Sequence, residues 1–75
     1  MLVPIDSPAE LGRVVRGIRK SQRLSQRKLA AQLGVGQRWL RELEVGRPKR
    51  IDEHYVAVLA VIRVRLVAEV DDGVV

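Results

Sequence analysis

Residues 25–44, S-Q-R-K-L-A-A-Q-L-G-V-G-Q-R-W-L-R-E-L-E, read as two short helices joined by a tight turn. Ser25 is a good N-cap, with an oxygen free to accept a backbone N–H of the following turn, and Leu29, Ala30 and Leu33 come after it at helical spacing. The first helix of the pair therefore buries one narrow face. Gly34 stands where that pattern stops and suits the left-handed conformation that ends a helix, while Gly36 can cap a second helix with Leu40 and Leu43 as its apolar positions. Two short helices crossing closely need a small residue at the contact, and Ala30 supplies it.

This is the helix-turn-helix pattern, in which the first residues of the second helix meet base edges in the DNA major groove. Here those residues are Gln37 and Arg38. A glutamine matches adenine in bidentate fashion, and an arginine matches O6 and N7 of guanine. The bland alternative is a helical pair that only packs.

The charge distribution points the same way. With 14 Lys and Arg against nine Asp and Glu the net charge is +5, yet residues 13–50 hold twelve of the cations and only Glu42 and Glu44 as acids. A central section near +10 (twelve minus two) is the footprint of a polyanion partner, although a solvated basic surface is the simpler alternative. Seventy-five residues suggest one domain, and a chain this short buries only about 60% of its unfolded surface, so self-association would help it. Cysteine is absent, which excludes disulfides and thiolate metal sites. The start M-L-V-P-I-D lacks a basic region and no long apolar run follows, so a cytoplasmic protein without membrane association, metal or cofactor is expected. A single histidine, His54, near the start of a helix, offers no catalytic constellation, and no enzyme activity is expected.

Outward from the central pair, residues 1–6 read as an extended arm, apolar at Leu2, Val3 and Ile5. Ser7-Pro8-Ala9-Glu10 starts a helix with three signals: Ser at the N-cap, Pro at the first helical position, and Glu10 completing a capping box. That helix is predicted to run to about Gln22, burying Leu11, Val15 and Ile18, with Arg13, Arg16, Lys20 and Arg23 on another face. Gly12 and Gly17 weaken it, and close approach of a neighbouring helix is their expected use. After the central pair, V-G-R-P-K-R at 45–50 is a basic loop suited to lie along the sugar-phosphate backbone through Arg47 and Lys49. Asp52 can cap a fourth helix with Tyr55, Val58, Leu59 and Ile62 inward. From Ile62 the period changes to two, with Ile62, Val64, Leu66 and Ala68 on one side. A lone strand needs a partner, so residues 62–70 are expected to pair with the same strand of a second copy; continuation of the helix is the alternative. The division is thus an arm at 1–6, a helix-turn-helix domain at 7–61, a dimerisation strand at 62–70 and a frayed tail at 71–75.

With S-P-A-E-L-G, V-R-G-I-R-K-S-Q-R-L-S-Q-R-K-L-A and L-G-V-G-Q-R-W-L-R-E-L-E-V-G-R in place, the chain resembles the Xre/Cro-type helix-turn-helix family over roughly residues 7–70. Within it, the opening S-P-x-x-L, the chain length and the terminal segment resemble the HipB-type antitoxins of HipBA toxin–antitoxin modules. The resemblance implies a mainly α, lambda-repressor-like bundle of four to five short helices with a C-terminal β-strand pairing across a homodimer. It implies a repressor of transcription that reads an inverted repeat of double-stranded DNA, with a HipA-like kinase toxin as a further partner. Base contacts then fall to Gln37, Arg38 and Glu42, the last either accepting from cytosine N4 or acting as a repulsive filter. Phosphate contacts fall to Ser25, Gln26, Arg27, Arg41, Arg47 and Lys49. Arg19 and Glu44 align with the family's interhelical ion pair. Trp39, where a small or polar residue is usual, can pack on sugars or a thymine methyl, or fill a gap beside the helix before it. Many relatives place glycine where this chain has Arg63. The other functional class left open is a protein-interaction module whose helix-turn-helix binds DNA without sequence preference.

Overall fold

The computed structural model describes residues 1–73, with four helices: α1 (Pro8–Ser21), α2 (Gln26–Leu33), α3 (Gln37–Glu44) and α4 (Glu53–Val61). Three of the four begin on the side-chain caps their sequences announce. Ser7 accepts from the Glu10 N–H at 3.2 Å, Ser25 from the Lys28 N–H at 3.1 Å and Asp52 from the Tyr55 N–H at 2.9 Å. Glu10 reaches back one residue further than a capping box requires, accepting from the Asp6 N–H at 2.7 Å. Gly36 caps α3 by backbone conformation alone.

All four helices end in the same way, with paired 6→1 and 5→2 backbone bonds around a residue of positive φ. Gly34 (φ 71°) and Gly46 (φ 87°) fill that position after α2 and α3. After α1 and α4 it is held by Arg23 (φ 57°) and Arg63 (φ 63°), so two arginines adopt a conformation that ordinarily favours glycine. The residue after each turn folds back on the core in three cases, Leu24, Val35 and Val64, and this apolar contact supports the strained residue before it.

Val15, Leu29, Leu40 and Leu59, one from each helix, are the most deeply enclosed side chains. Leu11, Ala30, Leu33, Leu43, Tyr55, Val58 and Ile62 complete the buried cluster. The inward faces expected from helical spacing are therefore the observed ones. α3 packs against both α1 and α2. The reason α1 can lie so close is Gly12: a Cβ there would stand 2.4 Å from the Glu44 carbonyl oxygen and 2.6 Å from that of Leu43. Gly46 completes the contact, since a Cβ on it would meet the Ala9 backbone at 2.6 Å. Gly17 faces open space, and the close approach expected there does not occur.

The C-terminal segment departs from its expected form. Ile62 is not the first residue of a strand but the C-cap of α4, with its side chain in the core, and Arg63 turns the chain out of the helix. Helical continuation is excluded by the same turn. Residues 64–70 carry no strand, and among the described residues none occurs anywhere, because a ladder needs a second strand that one copy of the chain does not provide. Leu66 and Ala68 are exposed, while Val64 packs on the core. Among the described residues four helices form, within the expected four to five. The tail expected at 71–75 is a turn over its described part, and Val74 and Val75 lie outside the described residues.

The two helical glycines of α1 should respond in opposite directions to alanine. Gly12→Ala forces α1 off α3 and should lower the unfolding free energy by more than the ordinary point-mutation effect of about 1 kcal/mol, with a matching fall in melting temperature. Gly17→Ala should raise stability by up to about 1 kcal/mol, because only helix propensity changes there. Thermal unfolding followed by circular dichroism separates the two.

Candidate nucleic-acid interface

The start of α3 presents Gln37 and Arg38 to solvent, with 89% of the Arg38 side chain exposed. Its inner face is Leu40 and Leu43, fully in the core, so the side chains that remain outward are polar ones. Helical geometry thus separates the anchoring face from the displayed face of the same eight residues.

The other end of α3 is locked by a buried ion pair. Arg19 Nε donates to Glu44 Oε2 at 2.7 Å and Arg19 Nη2 to Glu44 Oε1 at 3.0 Å, with side-chain exposures of 11% and 2%. Arg19 Nη1 donates in addition to the Leu24 carbonyl at 2.9 Å, tying the α1–α2 turn to the same group. Hydrogen bonding to Glu44 holds the Arg19 guanidinium above its ordinary pKa, against the opposing effect of burial. Gln26, the first residue of α2, donates through Nε2 to Glu44 Oε1 at 3.1 Å. One carboxylate therefore joins α1, α2 and α3, and Gln26 is part of that network. Beside it Arg16 and Arg41 line an open cleft of about 240 Å³ together with Arg19, Gln26, Glu44 and Val45. Arg41 is exposed at its rim, and Ser25 and Arg27 lie exposed at the start of α2.

The second glutamate of α3 collects cations. Lys49 Nζ donates to Glu42 Oε1 at 2.7 Å, while Arg38 Nε and Arg47 Nη1 stand 3.6 and 3.7 Å from Glu42 Oε2. The hydrogen bond from Lys49, aided by the charges of Lys49, Arg38 and Arg47, holds the Glu42 carboxyl below the usual glutamate range. Lys49 also lies over Trp39, its Nζ 5.1 Å from the ring centroid. Trp39 packs edge-on against His54 at 5.8 Å and Tyr55 at 6.3 Å between centroids. Its place is against α4 and the basic loop, a position that neither expected arrangement described. Arg38 and Glu42 are four residues apart on one helix, so that contact was legible as an i,i+4 pair. The Lys49–Trp39–His54 arrangement carries no local sequence signal, because it joins three segments.

The model of a family described as a helix-turn-helix domain matches residues 10–70, and the chain belongs to that family. Over 44 residues the chain is 48% identical to a protein of Sinorhizobium fredii named as the uncharacterized HTH-type transcriptional regulator y4mF. That match covers 59% of this chain and 58% of the relative, so the chain spans less than two thirds of the relative's length. Among the described residues no helix is long and apolar enough to cross a membrane.

Arg19→Met should lower unfolding free energy by about 3–5 kcal/mol, because it strands the buried Glu44 carboxylate with Gln26 as its remaining hydrogen-bond partner. Chemical denaturation checks it. The Glu42 cluster should show itself in acid. A carboxyl with a depressed folded-state pKa contributes stability above its unfolded pKa and loses that contribution as pH falls through the folded value. The melting-temperature difference between wild type and Glu42→Gln should therefore shrink as pH is lowered from 7 through the acidic range.

Proposed function

We propose that this chain is a sequence-specific double-stranded DNA-binding transcriptional regulator acting as a repressor. The observation that carries the reading is the exposed Gln37–Arg38 pair at the tip of a helix whose far end is pinned by Gly12 and the Arg19–Glu44 pair. Base-reading side chains discriminate only when their helix is held in a fixed orientation. Membership of the helix-turn-helix family and the similarity to the Sinorhizobium regulator support it. Gln37 and Arg38 read base edges, and Ser25, Gln26, Arg27, Arg41 and Arg47 are the phosphate-facing set around them.

The protein works as a homodimer on an inverted repeat, with half-sites about one helical turn apart or a multiple of it. Support comes from α4, which is apolar on its outer side as well as its inner one: Val56 and Val61 are 45% and 60% exposed. That surface continues into a shallow groove of about 280 Å³ among Val56, Ala60, Arg63, Val64, Arg65 and Leu66. The tail beyond Val64, with Leu66 and Ala68, pairs or packs there against its copy. The antitoxin role, with a HipA-like kinase as partner, rests on the resemblance of S-P-A-E-L and the terminal segment to HipB-type proteins. Co-purification with a kinase encoded beside the gene tests that part.

Selection of bound duplexes from a random library at about 0.15 M salt tests the central claim, because nonspecific charge contacts are substantially screened there. Enrichment of an inverted repeat is expected, and recovery of unenriched DNA would remove sequence reading. On the selected site, Arg38→Ala should cost roughly 1–3 kcal/mol and relax the preference at one base pair. Arg41→Ala should instead weaken all sequences alike and flatten the salt dependence by about one phosphate contact.

A further inference from the structure

Glu42 is the one carboxylate on the displayed side of α3, since Glu44 is buried, and it is already occupied. Reading cytosine N4 requires an accessible carboxylate oxygen. Glu42 Oε1 is taken by Lys49 at 2.7 Å, two arginines stand near Oε2, and the side chain is only 23% exposed. Steadying a phosphate requires an accessible ammonium. The Lys49 side chain is 14% exposed, with a carboxylate on one side and the Trp39 ring on another. Arg38 and Arg47, by contrast, are 89% and 68% exposed and only loosely drawn to the same carboxylate.

We propose that Glu42 is a positioning residue that sets specificity by standing in for a phosphate. It withholds Lys49 from the DNA backbone and leaves the exposed Arg38 and Arg47 free to meet DNA. The proposal rests on the DNA-binding reading above. Its physical basis is that phosphate contacts supply affinity without sequence preference, whereas base contacts supply the preference. Specificity is a difference between two affinities, so an internal anion raises it where the cation it holds would otherwise reach a phosphate on random DNA but not in the register of the selected site. Trp39 gives the arrangement its rigidity. The ring holds Lys49 while itself wedged against His54 and Tyr55 of α4, so the basic loop is docked on the recognition helix before DNA arrives.

The test is Glu42→Gln, which keeps the side-chain shape and removes the charge, with binding measured on the selected site and on a random-sequence duplex across a salt series. The random duplex should bind several-fold tighter, with a log–log salt slope steeper by about 1. The selected site should gain less, so discrimination falls. Loss of the selected site with random binding unchanged would overturn the proposal and make Glu42 a base reader. Equal changes on both duplexes would overturn it as well. Lys49→Met, which keeps an aliphatic stem on Trp39, is the second variant and guards against misfolding of the first. The proposal expects its salt slope to equal that of wild type, and a slope flattened by about 1 would show Lys49 on a phosphate and overturn it. If wild-type protein bound neither duplex at low salt, the DNA-binding reading itself would fail, and this proposal with it.

Discussion

The contact between α1 and the last turn of α3 governs the geometry of the whole domain. At Gly12 the two backbones approach so closely that a single added carbon would stand 2.4 Å from the Glu44 carbonyl oxygen. The Glu44 side chain then turns to Arg19, on α1, so the residue whose carbonyl is nearest Gly12 also supplies the carboxylate of the clamp. Burying two opposite charges carries a desolvation cost that roughly offsets their attraction. What the pair provides is orientation, because two parallel hydrogen bonds fix angle as well as distance. Gln26 and the Leu24 carbonyl extend that constraint to α2 and its preceding turn, so three helices share one reference point.

The two glutamates of the basic section divide its electrostatics between inside and outside. Glu44 neutralises Arg19 in the interior, and Glu42 gathers Arg38, Arg47 and Lys49 at the surface. The cations at the start of α2 and along α1 are left to the solvent side. Net charge along the sequence therefore overstates the charge available to a partner and says nothing of its direction. The useful quantity is which cations lack an internal carboxylate, and that depends on how segments far apart in the chain are brought together.

The last third of the chain shows how a local rule yields to its surroundings. Alternation from Ile62 to Val70 has the period of a half-buried strand, yet Ile62 caps the end of α4 and its side chain joins the core that holds Leu59. Arg63 then takes the left-handed position at the helix end, held there by the bonds of the turn and by Val64 packing on the core. Alternation describes which side chains can share a face. It does not create the second strand whose donors and acceptors a sheet requires.

Caps, helical spacing and the glycine turn are relations among residues within about four positions of one another, so the sequence by itself determined the four helices, their starts and their inward faces. The Gln37–Arg38 tip and the Gly34 turn were legible for the same reason, as was the use of Gly12 for close approach, though its twin Gly17 carries an identical local signal and touches nothing. Tertiary structure alone decided which glycine meets a backbone, that Trp39 wedges against α4, and that Lys49 is held by Glu42 and the indole ring. Each of these depends on where a separate segment lies. Contacts between segments are set by how all the helices pack at once, and no window of sequence contains that information.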